Sequence, residues 1–371
     1  MNKIAIIDTA IDIKSIRKKN IHYIDLCGGN AHNTARSIGN EISHGTLCAM
    51  VLDHCALDYE LINIRIFDKN KEKVYSKVER LAEALTLCHE LGVNIVSLSA
   101  VSSILSDSKQ LYDITRKLSE ITFIVSALDN AQYITVPTSY PHVIGVQHDF
   151  AGLLLPGEIA ACKDNPFGID IYANCDFNFL REYDCALSNS LAVPIVAAHI
   201  NNLLNNGSSK DEAEHLLRNL KLYPFDNGFY KRYLLGKRLD RDIPVIFLSD
   251  ASNDVCRELM DSFFEKFDVQ ASALSDFEGN DDIRIQPIEN SDNIQNELRF
   301  MENHYKTDLI FIVASEQVLL EIRDKIDIDI ELFRQKEDKV LIRHEYGEVI
   351  IPNSKLADTV YELLTAQGGT K

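Results

Sequence analysis

No apolar run in the 371-residue sequence approaches the ~18 residues that a membrane-spanning helix needs, so no transmembrane segment is expected. The chain opens Met1-Asn2-Lys3 and enters an apolar stretch at once. No basic segment precedes a clean apolar one, so no secretory signal is read from it. Positive charge is in deficit: 38 Lys and Arg stand against 56 Asp and Glu, a formal net charge of −18. That balance argues against nucleic acid or an anionic membrane as partner. Cys-x-x-Cys pairs are absent among the eight cysteines (Cys27, Cys48, Cys55, Cys88, Cys162, Cys175, Cys185 and Cys256). Several lie in apolar runs, as Cys48 and Cys88 do. Reduced, mostly buried thiols in a cytoplasmic protein are expected. His54-Cys55 has no further ligand at metal-binding spacing. Leu248-Ser249-Asp250-Ala251-Ser252-Asn253 stands where a phosphate loop would, between strand and helix, but lacks its glycines and the Gly-Lys-Ser/Thr ending. Asp276–Asp282 is acidic and contains glycine, without the spacing of an EF-hand loop. No cofactor or metal is expected, and no carboxylate cluster supports structural calcium.

What the sequence does have is length for about two domains and an ordinary globular balance, 46% hydrophobic and 25% charged. Strand-like apolar runs at 3–8, 59–67, 93–101, 121–127 and 143–146 alternate with helical ones at 44–56, 73–91 and 107–119. Gly92 follows the amphipathic run as a helix stop. This β-α-β-α order calls for a parallel sheet covered by helices, with ligands at the carboxyl ends of the strands. Residues 11–43 read as irregular, with Gly28-Gly29 in a loop. Gly157–Cys185 reads as loop-rich with a short strand at Gly168–Tyr172. A helix over 208–220 and a basic, aromatic arm over 221–241 follow. A second, smaller α/β unit is expected over 243–371, ending in a hairpin at Tyr346-Gly347 and a helix capped by Ser354. The expected domains are 1–207, a helix and linker arm at 208–242, and 243–371.

The centre of the reading is Ser188-Asn189-Ser190-Leu191-Ala192-Val193-Pro194. A small polar turn runs into an apolar, small-residue helix, with Ser190 in the first turn. Free backbone N–H groups at such a start favour negative charge, which suits a nucleophile whose reaction makes an oxyanion. The same position equally suits a capping serine. Two further stretches change the balance. Ile4-Ala5-Ile6-Ile7-Asp8-Thr9 is an apolar strand ending in an acid, and Ser43-His44-Gly45-Thr46-Leu47-Cys48-Ala49 puts a histidine at a helix start. The chain order Asp8, His44, Ser190 is that of one of the three known orders of a Ser-His-Asp triad.

In this order and these elements, residues 1–205 resemble a subtilisin-like serine protease. The resemblance implies an α/β fold with a subtilisin-like parallel sheet, Ser190 as nucleophile, His44 as general base and acid, and Asp8 as the orienting carboxylate. Ile121–Asn130 resembles the family strand that ends in Ala-Gly-Asn, which implies Asn130 as an oxyanion donor beside the Ser190 N–H. Asn94–Ser99 resembles the strand that pairs with substrate, which implies Ser97, Leu98 and Ser99 as substrate-binding residues. Asp129 would lie near the residue before the cut and favour a basic one. Four glycines of the pattern are replaced, by Ala10, Ser99, Asp129 and Ser188, which predicts an altered pocket. The resemblance also implies an intracellular protease of the kind that matures ribosomally made peptides by removing a leader. The expected partner is a peptide or precursor protein, with homo-oligomerisation through the C-terminal unit. The alternative is a pseudoprotease that binds a peptide without cutting it.

Overall fold

A computed structural model describes the chain apart from residues 19–20, 28–41, 68–77, 164, 225–242, 250, 278–281, 337 and 369–371. The Gly28-Gly29 loop, the start of the amphipathic run at 73–77, Asp250, the middle of the acidic loop and residues 225–241 of the arm lie outside the described residues. The chain divides into two compact units, Met1–Ser103 with Asp107–Phe225 and Ile104–Ser106 with Asp226–Lys371.

In the first unit the chain runs β1 (Asn2–Asp8), β2 (Ile21–Asp25), α1 (His44–Cys55), β3 (Tyr59–Arg65), α2 (Val78–Glu90), β4 (Ile95–Leu98), α3 (Ser108–Ser119), β5 (Phe123–Ala127), β6 (Ile144–His148), β7 (Ile159–Ala161), β8 (Ile171–Ala173), α4 (Asn178–Arg181), α5 (Asn189–Asn205) and α6 (Lys210–Arg218). The described strands lie in the order β2-β3-β1-β4-β5-β6-β8-β7. All pairs are parallel except β7 against β8. Strands covered on both faces need unbroken apolar runs, and Ile4, Ala5, Ile6 and Ile7 of β1 are each 0% exposed. The register Ile6↔Ser97 and Ile6↔Asn63 places β1 between β4 and β3, so Asp8 emerges at the middle of the sheet's carboxyl edge.

Helix α5 is apolar all round from Leu191 to Ala198 because that stretch is buried all round. Leu191, Val193, Ile195, Val196 and Ile200 are each fully buried, and each such side chain contributes about 1.5–3 kcal/mol of burial. Pro194 stands inside this helix. It has no N–H to donate to the carbonyl four residues back, which is Ser190. Helix α6 is set by a capping box: Ser209 accepts from Glu212 N–H, and the Glu212 carboxylate accepts from Ser209 N–H. Its buried Ala213 and Leu217 join the same core as α5.

The second unit contains β9 (Val245–Ser249), α7 (Asn253–Phe267), β10 (Ala271–Ser275), β11 (Ile285–Pro287), α8 (Ile294–His304), β12 (Leu309–Ala314), α9 (Glu316–Ile322), β13 (Ile330–Gln335), β14 (Lys339–His344), β15 (Gly347–Pro352) and α10 (Leu356–Gly368). Its strand order is β11-β10-β12-β9-β13-β14-β15, parallel up to β13 and closed by the antiparallel hairpin of β14 and β15. The core gathers Phe263 and Phe311 around Leu248 and Val313. Ser354 does not cap the last helix; it lies within a 3₁₀ turn, Asn353–Lys355, that leads into Leu356. Ser252 caps α7 by accepting from Val255 N–H.

Candidate active site

Three element ends converge at the carboxyl edge of the first sheet: the last residue of β1, the first of α1 and the second of α5. The start of α1 is fixed by Ser43, which accepts from Thr46 N–H and donates its own hydroxyl to Ala10 O. Thr46 Oγ1 in turn accepts from Asp12 N–H at 2.9 Å. Buried Asn63 donates to Ile6 O and Thr9 O and accepts from Ile11 N–H, holding the loop that follows Asp8. Gly45 lets helix and strand end touch: a Cβ on it would lie 2.4 Å from Thr9 O.

The result is a continuous hydrogen-bonded row. Asp8 Oδ2 lies 2.7 Å from His44 Nδ1, and His44 Nε2 lies 2.8 Å from Ser190 Oγ. Asp8 is 1% exposed. Its second oxygen accepts from Thr9 N–H at 2.6 Å, so the carboxylate is held from both sides. With Nδ1 donating to Asp8, Nε2 is the ring atom that can accept the Ser190 proton. Ser190 Oγ also lies 3.0 Å from Ser188 Oγ.

The pKa of His44 is raised from 6.5 toward about 12: a charge on the Cys48 sulfur would raise it most, the Asp8 carboxylate next, and burial opposes both. Cys48 is four residues after His44, on the same helix face. Its Sγ lies 3.7 Å from Ser190 O and 4.0 Å from Asp8 Oδ2, both acceptors. The same sulfur lies 3.8 Å from His44 Nδ1, the nitrogen that Asp8 holds, so both causes of the upward shift act at one ring atom.

Asn189 joins the nucleophile turn to two strand ends. Its Oδ1 accepts from His148 N–H at 2.9 Å, its Nδ2 donates to Leu128 O at 3.0 Å, and its backbone N–H donates to Asn130 Oδ1 at 3.1 Å. With Asn130 Oδ1 occupied, its Nδ2, a donor only, has no partner among the described residues. Asn130 and Ser190 line one cleft of about 330 Å³, together with His44, Phe67, Ser99 and Asp129. A wider cavity of about 620 Å³, lined by Phe123, Ile144 and Arg218, contains none of these residues.

Thus Asp8, His44, Ser190 and Asn130 are brought together, with Ser99 and Asp129 on the same cleft. Ser97 and Leu98 lie back from this cleft. Both belong to β4, which is paired on its two edges by β1 and β5, and they are 1% and 0% exposed. A strand paired on both edges has no free backbone for a peptide, and neither residue lines the cleft. Asp129 Oδ1 accepts from Ala131 N–H at 2.8 Å, so part of its charge is spent on the local turn. The four replaced glycines cause no backbone strain: none of Ala10, Ser99, Asp129 or Ser188 has a positive φ, and Ser188 is extended (φ −150°, ψ 160°). Residues that sequence reasoning missed are Asn189, Ser188 and Cys48. Only Cys48 carried a usable signal, its four-residue spacing from His44.

Among the described residues one group has metal-ligand proximity, Asp8, His44 and Cys48. Both ring nitrogens of His44 are already engaged, Nδ1 by Asp8 and Nε2 by Ser190, so the group does not fit a resident metal.

No family model and no curated protein matches the sequence. Among solved structures the fold is similar to the prenylagaramide maturation protease PagA, at 16% identity over 57% of this chain and 79% of that one, TM-score 0.39. It is similar to a lanthipeptide protease, at 14% identity over 58% and 78%, TM-score 0.42. It is also similar to the psychrophilic subtilisin-like protease Apa1 from the Antarctic psychrotroph Pseudoalteromonas sp. AS-11, at 18% identity over 40% and 36%, TM-score 0.29. Likeness at this level leaves the functional reading to the side chains themselves.

Proposed function

We infer that the protein is a serine endopeptidase that cleaves a specific peptide or precursor through an acyl-enzyme on Ser190. The observation that carries this reading is the unbroken row from Asp8 through His44 to Ser190, at 2.7 and 2.8 Å. Ser190 Oγ attacks the peptide carbonyl carbon while His44 Nε2 takes the hydroxyl proton. The carbonyl oxygen becomes an oxyanion, with Asn130 Nδ2 and the Ser190 N–H as its donors. The C–N bond then breaks, and the amine leaves with the proton returned by His44. Water, deprotonated by the same ring, attacks the ester and restores the serine. The Asp8 carboxyl group holds the ring. The substrate class follows the sequence resemblance: a leader segment removed from a ribosomally made peptide.

A second reading is a peptide-binding pseudoprotease. It is favoured by the Ser188 hydroxyl, which at 3.0 Å from Ser190 Oγ gives that atom a second partner in the resting state.

Intact mass after fluorophosphonate treatment of wild type, Ser190→Ala and His44→Ala decides between the two. One stoichiometric adduct on wild type, absent from both variants, is expected of the protease. A folded wild type without adduct means the pseudoprotease.

A further inference from the structure

Two clefts meet at His44. The one of about 330 Å³ contains Ser190 and Asn130, so it receives the acyl side of a cut bond. The other, of about 740 Å³, contains His44 but neither Ser190 nor Asn130. Its remaining walls are Ile42, Leu47, Tyr183, Asp184, Cys185 and Ala186. The imidazole that takes the serine proton hands it to the departing amine, so the amine lies against the ring, apart from the oxyanion donors. A cleft that starts at the ring and leaves out the acyl-side groups is where the chain beyond the cut bond runs.

We propose that this second cleft binds the residue directly after the cut bond and selects an apolar or aromatic side chain there. The proposal rests on the protease reading and adds a substrate class to it. Its volume is in the range of about 300–1,000 Å³ usual for ligand sites. Leu47 is buried, Ile42 and Cys185 are half-buried, and Tyr183 keeps 41% of its surface exposed. Ile42, Cys185 and Tyr183 thus keep apolar surface open to water, available to a side chain of the same kind. The charged wall residue, Asp184, is exposed and disfavours an acidic residue at this position.

The test uses acyl transfer to added amines. p-Nitrophenyl acetate, whose acetyl group asks little of the acyl-side cleft, loads Ser190. The acyl-enzyme then partitions between water and an amino acid amide. In the capture step the acyl carbon–Oγ bond breaks, the carbon–nitrogen bond forms, and the amine proton passes through His44 to Ser190 Oγ. Phenylalaninamide and leucinamide are expected to capture the acetyl group about tenfold better than glycinamide, with aspartamide worst. In Ala186→Asp, at an exposed position, and in Cys185→Asp, the phenylalaninamide-to-glycinamide ratio is expected to fall toward one. Equal capture of all amides by wild type would overturn the subsite. A ratio unchanged in both variants would overturn its placement in this cleft. A folded wild type that neither acetylates nor takes up fluorophosphonate removes the protease reading itself, and the subsite with it.

Discussion

The Cys48 thiol lies 3.7 Å from the carbonyl oxygen of Ser190, the carbonyl whose partner four residues on, Pro194, has no N–H to donate. The proline removes an N–H from the nucleophile helix, and a sulfur from the neighbouring helix supplies a weak donor in its place. The two residues are therefore coupled through an atom that belongs to neither. Cys48→Ala should destabilise the protein by about 1–3 kcal/mol, the cost of a buried acceptor left unmet. In a Pro194→Ala background, where the helix provides its own donor, the same change should cost distinctly less. Urea midpoints of the four proteins measure this, and strict additivity would remove the link.

The oxyanion donors depend on Asn189. Asn130→Ala should lower kcat by about 10²–10³ with little change in KM, as expected for a group that binds only the transition state. Asn189→Asp replaces the donor to Leu128 O with an oxygen, setting two acceptors face to face. It should lower kcat by about tenfold and lower the urea midpoint as well, because Asn189 also ties two strand ends. Loss of stability with kcat intact would mean that Asn189 serves the fold alone.

The base must be neutral to accept a proton, and Asp8 favours its charged form. The acidic limb of the rate–pH profile for ester hydrolysis should therefore lie above the ordinary imidazole value of 6.5. Asp8→Asn should move the limb down and cost about 10⁴ in kcat. Cys48→Ala should move the limb down as well, since the sulfur is the first cause of the raised value; an unmoved limb would leave Asp8 as the whole cause. For stability the sign is the opposite of that for activity. The stabilisation from a charged His44 is complete below 6.5 and is lost as pH rises through the raised value.

Gly45→Ala brings a methyl group to 2.4 Å from Thr9 O, a backbone atom that cannot swing aside. The start of α1 must withdraw from the end of β1, and His44 with it from Asp8. Loss of about 1–3 kcal/mol of stability is expected, together with slower fluorophosphonate labelling. Normal labelling by a less stable protein would separate the contact from the catalytic geometry.

The parts of the site that could be read in the sequence are those fixed by local rules. Asp8 ends an apolar strand, His44 begins a helix and Ser190 begins a buried one; each is visible in its own segment. Asn189 is different. Its partners, Leu128 and His148, are 61 and 41 residues away, and nothing local marks it out from a turn asparagine. The pairing of Ser97 and Leu98 was not legible for a related reason: an apolar strand looks the same whether a peptide or a neighbouring strand lies at its edge. In the fold, β2 and the three-residue strands β7 and β11 escaped notice because their pairing, not their composition, makes them strands. Long apolar runs such as β1, β9 and β12 needed no such help.

Helix α5 runs through the core with its first residues already buried, Asn189 at 1% and Ser190 at 8% exposure. Segments of that kind open only when the whole cooperative unit opens, and their amides exchange with solvent at the rate of global unfolding. Local melting is therefore not expected to displace Ser190. On the protease reading, control would act on access, at the mouths of the clefts on either side of His44, and an inhibitor would occupy them, leaving Ser190 as it is.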